Sequence, residues 1–93
     1  MLKEIIEVQP RDGYRLFLHF RDGAAGQVDI AKMITFDGIF APVKERAYFV
    51  QVRVDPELGT IVWPNGADLD PLILYSRVTG LPIPRFEIKT GSR

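Results

Sequence analysis

Residues 48–75 read YFVQVRVDPELGTIVWPNGADLDPLILY, and their order decides the fold. Val50, Val52 and Val54 alternate with Phe49, Gln51 and Arg53, which predicts a strand from Tyr48 to Val54. Asp55-Pro56-Glu57-Leu58-Gly59 predicts a turn, with Pro56 suited to its second position and Gly59 to a left-handed one. Thr60 to Trp63 is the return strand. Ile61 and Trp63 flank Val62 from the opposite face, so this strand is covered on both sides, or on one side by a partner. Trp63-Pro64-Asn65-Gly66 then makes a tight turn. Asp70 before Pro71 joins an N-cap acceptor to a proline at the first helical position. Leu72, Leu74, Tyr75 and Val78 follow at helical spacing, and Gly80 suits the left-handed residue beyond the end. The spacing predicts a helix over Pro71 to Thr79.

Upstream, Tyr14, Leu16, Leu18 and Phe20 recur at period two, as do Ala24, Gly26, Val28 and Ile30. Asp22-Gly23 between them predicts a hairpin closed by a two-residue type I′ loop. Small residues at 24–26 leave room beside bulky neighbours, and Gly26 marks a candidate bulge. Leu2 to Val8 reads as a further strand, with Ile6 and Val8 alternating about Glu7; a helical stripe of Leu2, Ile5 and Ile6 is the rival reading. Pro10 ends this element. Between Ala31 and Glu45 the period changes, and two short helical turns are expected: one near Ala31–Ile34, one over Gly38–Val43 after Asp37. The expected fold class is α+β: an antiparallel sheet of about five strands, built from two hairpins plus the N-terminal strand, with one C-terminal helix and short helical turns. Residues 1–84 are expected to form one domain, and residues 85–93 a polar tail.

Composition bounds the function classes. The chain has 93 residues, 46% of them hydrophobic and 26% charged, which is ordinary globular usage. Twelve basic and twelve acidic residues cancel. Direct binding to nucleic acid, which rests on basic contacts, is therefore not expected, whereas self-association meets little long-range repulsion. There is no cysteine, so disulfide and thiolate chemistry are excluded. No apolar run approaches the roughly 20 residues that span a bilayer, and the N-terminus lacks a signal-peptide pattern, so a cytoplasmic location is expected.

Few residues could carry chemistry. His19 is the single histidine and lies opposite the Tyr14–Phe20 apolar face, so it reads as a strand residue with its ring tip at the surface. With no second histidine and no cysteine, a transition-metal centre is not expected. Asp55 with Glu57, and Asp68 with Asp70, are paired acids of the kind used in acid–base work or cation binding. Neither pair has EF-hand spacing, and Asp68 and Asp70 have the simpler task of facing a helix N-terminus. Ser76 and Ser92 sit in no nucleophile elbow, and the scattered glycines form no phosphate loop. No catalytic residue and no cofactor are expected. The candidate partner-binding residues are Trp63, Asn65, Phe49 and Arg53, with the Trp63 ring mainly in the core and part of it accessible. Apolar residues on both faces of the Tyr48–Trp63 hairpin would also suit a homodimer.

Gly13-Tyr14-Arg15-Leu16, Phe20-Arg21-Asp22-Gly23, Val28-Asp29, Gly38-Ile39-Phe40-Ala41-Pro42, Phe49-Val50-Gln51-Val52, Thr60 to Leu69 and Leu74-Tyr75, in that order, resemble a bacterial family catalogued as domain of unknown function 2442. The resemblance runs from about residue 5 to 76. It implies a small α+β domain that occurs alone or ahead of a helix-turn-helix DNA-binding domain. For stand-alone members, often encoded beside a small toxin, it implies an antitoxin-like role. The family has no established catalytic residues. Too little chain follows Gly80 for a helix-turn-helix. The expectation is a non-enzymatic protein-binding module, an antitoxin-like partner of a small toxin. The alternative is a nucleic-acid-associated component of a transcriptional regulator, using Arg15, Arg21, Arg46 and Arg53 on one surface.

Overall fold

The computed structural model describes residues 3–82 of the chain. The polar tail expected over residues 85–93, and the domain end at residue 84, lie outside the described residues. Strands β1 (Ile5–Pro10), β2 (Arg15–Phe20) and β3 (Ala25–Asp29) form an antiparallel sheet in the order β1-β2-β3. Two 3-10 segments follow, Ile30–Lys32 and Gly38–Lys44, then a single-turn helix α1 (Arg46–Phe49). Strands β4 (Arg53–Asp55) and β5 (Thr60–Val62) pair antiparallel as a second, two-stranded sheet, and helix α2 (Pro71–Thr79) follows. The α+β class, the five strands and the helix at 71–79 are as the sequence predicts. The strands divide between two sheets instead of forming one.

The β2–β3 alternation holds residue by residue. Leu16 lies opposite Val28, and Leu18 opposite Gly26. Leu16, Leu18, Phe20, Val28 and Ile30 are buried on this face. Helix α2 packs over it, with Tyr75 edge-on to the Phe20 ring at 5.0 Å between centroids. Gly26 is a close-approach position: a Cβ there would stand 3.0 Å from Val78 Cγ1. The Asp22-Gly23 loop has three residues and not two. Phe20 N–H donates to the Ala24 carbonyl, Gly23 N–H to that of Phe20, and Ala24 N–H to Asp22 Oδ1. Gly23 alone, at φ 97°, supplies the left-handed residue such a loop needs.

Strand β1 also departs from simple alternation. Ile5 pairs with Phe20, but Glu7 pairs with His19, so Ile6 is the extra residue of a β-bulge. The bulge turns Ile5 and Val8 to the core and leaves Ile6 46% exposed.

The largest difference lies at residues 48–52, expected as strand. Tyr48 and Phe49 N–H groups both donate to the Glu45 carbonyl, and Val50 N–H to Arg46. The chain therefore coils, and β4 begins only at Arg53. Coiling puts Phe49 and Val52, three apart, into the core while Val50 faces out. An alternating strand would have buried Val50 with Val52.

The second sheet is fastened to the first at one end. Ile5 N–H donates to the Gly59 carbonyl at 3.0 Å, and on the first sheet's own side Arg21 N–H donates to the Glu4 carbonyl at 2.8 Å. Gly59 has φ +70°, and a Cβ there would meet Glu4 Cγ at 2.9 Å. Helix α2 begins with Asp70 accepting from Leu72 N–H and ends at Gly80 in the left-handed region. A polar cluster locks α2 to the first hairpin: Tyr75 Oη donates to Asp22 Oδ2, and Lys3 Nζ lies 4.4 Å from the Tyr75 ring centroid.

Two predictions follow from this packing. Gly59→Ala should destabilise the domain by about 2–4 kcal/mol, from left-handed strain plus the clash with Glu4. Gly13→Ala, at φ +65° with nothing within 4 Å of its Cβ position, should lose only about 1 kcal/mol in the same urea titration. The second prediction concerns pH. The Tyr75 hydroxyl, with help from Ala24 N–H, holds the Asp22 carboxyl below its usual range, and the same bond raises the Tyr75 phenol. Stability from a lowered acid is present above its unfolded pKa, about 3.9, and is lost as pH falls through the folded value. Stability from a raised phenol is present below its unfolded pKa, about 10, and is lost as pH rises through the folded value. The melting-temperature gap between wild type and Tyr75→Phe should therefore be widest at neutral pH and narrow at both extremes. A gap independent of pH would contradict it.

Candidate functional site

The turn after β5 is built like the one after β2. In Trp63-Pro64-Asn65-Gly66-Ala67, Trp63 N–H donates to the Ala67 carbonyl and Gly66 N–H to that of Trp63, both at 2.9 Å. Ala67 N–H donates to Asn65 Oδ1, and Gly66 takes φ 90°. Phe20-Arg21-Asp22-Gly23-Ala24 shows the same four features. Both are a buried aromatic, an Asn or Asp side chain that satisfies the alanine N–H, and a left-handed glycine. Downstream, Asp68 bridges to Val62, so residues 67–68 act as a short third strand beside β5.

The second turn has additional anchors. Asn65 Nδ2 donates to the Ile39 carbonyl at 2.8 Å, and Asn65 N–H to Tyr48 Oη at 2.8 Å. Asn65 thus ties the turn to the second 3-10 segment and to α1. Beneath it, Trp63 Nε1 donates to the Phe49 carbonyl at 3.1 Å. The Phe40 ring stands edge-on to the indole at 6.3 Å. The result is a fixed rim: Pro64, Asn65 and Gly66 are exposed, with the apolar side chains of Ile39 (51% exposed) and Val50 (42% exposed) on the two segments that hold them.

The four sequence candidates separate. Trp63 and Phe49 are completely buried, so neither side chain can contact a partner of the folded domain, and no part of the indole is accessible. The reason is the indole itself: its N–H finds an acceptor inside, and its neighbours are aromatic. Asn65 and Arg53 are exposed. Arg53 lies across β4–β5 from Val62, which Asp68 flanks on the other side. The sequence reading missed Ile39 and Val50; the helical spacing of Phe49 and Val52 was the signal that would have turned Val50 outward.

The groups that could do acid–base work are engaged elsewhere. His19 Nδ1 lies 3.6 Å from Glu7 Oε1 across the β1–β2 pair. Asp55 Oδ1 accepts from Glu57 and Leu58 N–H groups, and Asp70 from Leu72. Asp68 makes its bridge to Val62 through the backbone, and only Asp70 caps α2. Among the described residues no three His, Asp or Glu side chains gather as a metal site. Of the arginines, Arg21 Nε donates to Glu4 Oε1 at 2.8 Å, which holds the Glu4 carboxyl below its usual range. Arg46 donates to the Gly13 carbonyl and covers the Phe49 ring at 5.2 Å. No described helix is long and apolar enough to cross a membrane.

Two concave regions adjoin one another. A wide, shallow one of about 510 Å³ is lined by Lys32, Met33, Ile34, Thr35, Asp37 and Phe40. A smaller one of about 150 Å³ lies between β3 and α2, lined by Gln27, Val28, Asp29, Lys32, Met33 and Arg77.

A family model described as "Protein of unknown function (DUF2442)" matches residues 5–80, and the chain belongs to that family. No curated protein matches the chain, and no solved structure does.

The Asn65 anchor has a measurable weight. Asn65→Ala removes the bond to Ile39 and the one from Ala67, and should destabilise the domain by about 1–2 kcal/mol. Asn65→Asp keeps the acceptor for Ala67 but sets a carboxylate against the Ile39 carbonyl, so it should not restore wild-type stability in a urea titration.

Proposed function

We propose that this member of the DUF2442 family is a non-enzymatic protein-binding module, an antitoxin-like partner of a small toxin encoded beside it. The observation that carries this reading is the fixed rim. Three exposed turn residues, 64–66, are held by two side-chain anchors to the segments that carry the exposed side chains of Ile39 and Val50. A surface already fixed in position loses little conformational entropy on docking, so its apolar groups contribute more of their burial to affinity. Exposed Arg53 would stand at the polar border of such an interface, where charge sets orientation more than affinity. The family resemblance supports the antitoxin-like role. The engagement of His19, Asp55 and Asp70 in structural contacts supports the non-enzymatic one.

Co-expression with the product of the adjacent gene, followed by chromatography with mass measurement, tests the proposal. A stable complex of the two chains is expected. Ile39→Asp with Val50→Asp should weaken it by at least about tenfold, because two apolar contacts become buried charges. Failure to form a complex, or a complex indifferent to both substitutions in a folded variant, would overturn the assignment to this rim.

A further inference from the structure

Strand β3 is the outer strand of its sheet. The hydrogen bonds at Phe20–Ala24 and Tyr14–Ile30 fix the parity of the β2–β3 ladder. Gly26 and Val28, between these positions, point their backbone groups at β2. Ala25, Gln27 and Asp29 point theirs away from it. The Asp29 carbonyl takes the first hydrogen bond of the 3-10 turn Ile30–Lys32. Among the described residues no hydrogen bond reaches the other five groups, the three N–H and the Ala25 and Gln27 C=O. Ala25 and Gln27 are exposed, so helix α2 covers the inner face of β3 without covering its edge.

An open strand edge invites another strand, and proteins commonly blunt one with proline, a bulge or inward-pointing charge. Residues 25–29 carry no proline, and β3 pairs with β2 in unbroken register. What stands beside the edge is the 150 Å³ cavity between β3 and α2. Its walls are of two kinds: Val28 and Met33 are apolar, and Lys32 and Arg77 are cationic. Among the described residues neither cation has an ion-pair partner. Asp29 also lines the cavity, but its Oδ1 already accepts from Ala31 N–H. Two cations against one engaged carboxylate leave the cavity with net positive charge.

We infer that the β3 edge is a strand-addition site for an extended acidic segment of a partner protein. The backbone of that segment pairs with Ala25 and Gln27 and with the Asp29 N–H. One glutamate-sized side chain enters the cavity, its stem on Val28 and Met33 and its carboxylate between Lys32 and Arg77. The cavity holds roughly five water volumes, which suits one side chain of that length. Main-chain pairing supplies affinity with little sequence demand, and the cation pair supplies the preference for an acid. The inference takes the nature of the occupant from the protein-binding reading but uses a surface other than the Asn65 rim.

The test uses the capped peptide acetyl-Thr-Val-Glu-Val-Thr-amide and its Gln-for-Glu counterpart, titrated into nitrogen-15-labelled protein. Shifts centred on the Ala25, Gln27 and Asp29 amides are expected, with the Gln peptide about threefold to tenfold weaker. Arg77→Gln should erase that difference while keeping the shifts. Gln27→Pro, which removes an edge-facing N–H outside the β2–β3 ladder, should abolish them. No shift at these amides up to millimolar peptide would overturn the inference, and so would equal binding of the two peptides. Slow amide exchange at the edge in the peptide-free protein would overturn it too. With doubled mass it would put a second copy there; lost on truncation after Pro82, it would put the chain's own C-terminal segment there. Because the peptide is added directly, failure here leaves the neighbouring-gene complex untouched, and failure of that complex leaves this titration readable.

Discussion

The hydrogen bond from the Trp63 indole to the Phe49 carbonyl is the constraint that shapes residues 48–52 and the turn that follows β5. A buried indole N–H without a partner would forfeit most of the advantage of burying the ring, so the acceptor has to be a main-chain group placed within about 3 Å. An extended chain at residues 48–52 would alternate its side chains and aim successive carbonyls to either side. A coil lets Phe49 present its ring to the core and its carbonyl to the indole together. The strand-like alternation of Val50, Val52 and Val54 is overridden for that reason. Replacing such a tryptophan by alanine typically costs about 3–5 kcal/mol, a large part of the total stability of a domain this size.

The same residue fixes the geometry of the surface above it. Trp63 opens the turn whose Asn65 reaches Ile39 and Tyr48, so the rim inherits its rigidity from the core beneath. The two matching turns show how local chemistry and packing divide the work. An Asn or Asp accepting the N–H two residues on, followed by a left-handed glycine, closes a three-residue loop at both places. What differs is the aromatic before it and what the side chain reaches next. Asp22 takes up the Tyr75 hydroxyl and so locks α2 on the first hairpin. Asn65 locks the second turn on the segments that precede β4.

Elements with complete local instructions were legible in the sequence. Helix α2 carries its N-cap aspartate, its first-turn proline and its terminal glycine, and forms between the expected bounds. The β2 and β3 faces were legible because a single-residue slip would have turned every one of their apolar groups outward. Where local pattern and tertiary demand disagree, the pattern misleads. Ile6 alternates correctly for a strand, yet the bulge ejects it so that Ile5 can reach the core and bond to Gly59. Residues 48–52 alternate correctly too, yet coil to serve the indole. Both failures come from contacts distant in sequence, which periodicity does not register. The candidate site divides on the same line: Asn65 and Arg53 were placed at the surface by their polarity, whereas Phe49 and Trp63 were drawn inside by one another.

The two surfaces proposed for binding are coded differently, and that difference constrains what each can do. The rim of residues 64–66 with Ile39 and Val50 is read through side chains, so its selectivity lies in shape, and one misplaced charge is enough to lose it. The β3 edge is read through backbone, which is the same for any extended chain. Selectivity there has to come from the few side chains within reach, and among those lining the adjacent cavity only Lys32 and Arg77 carry positive charge. A chain of zero net charge gains no long-range steering from its total field, so such local imbalances decide which partner approaches in which orientation. Gly26 belongs to the same design. By admitting Val78 close against β3, it lets α2 carry Arg77 to the edge. A larger residue there would push the helix away and separate the cation from the strand it serves.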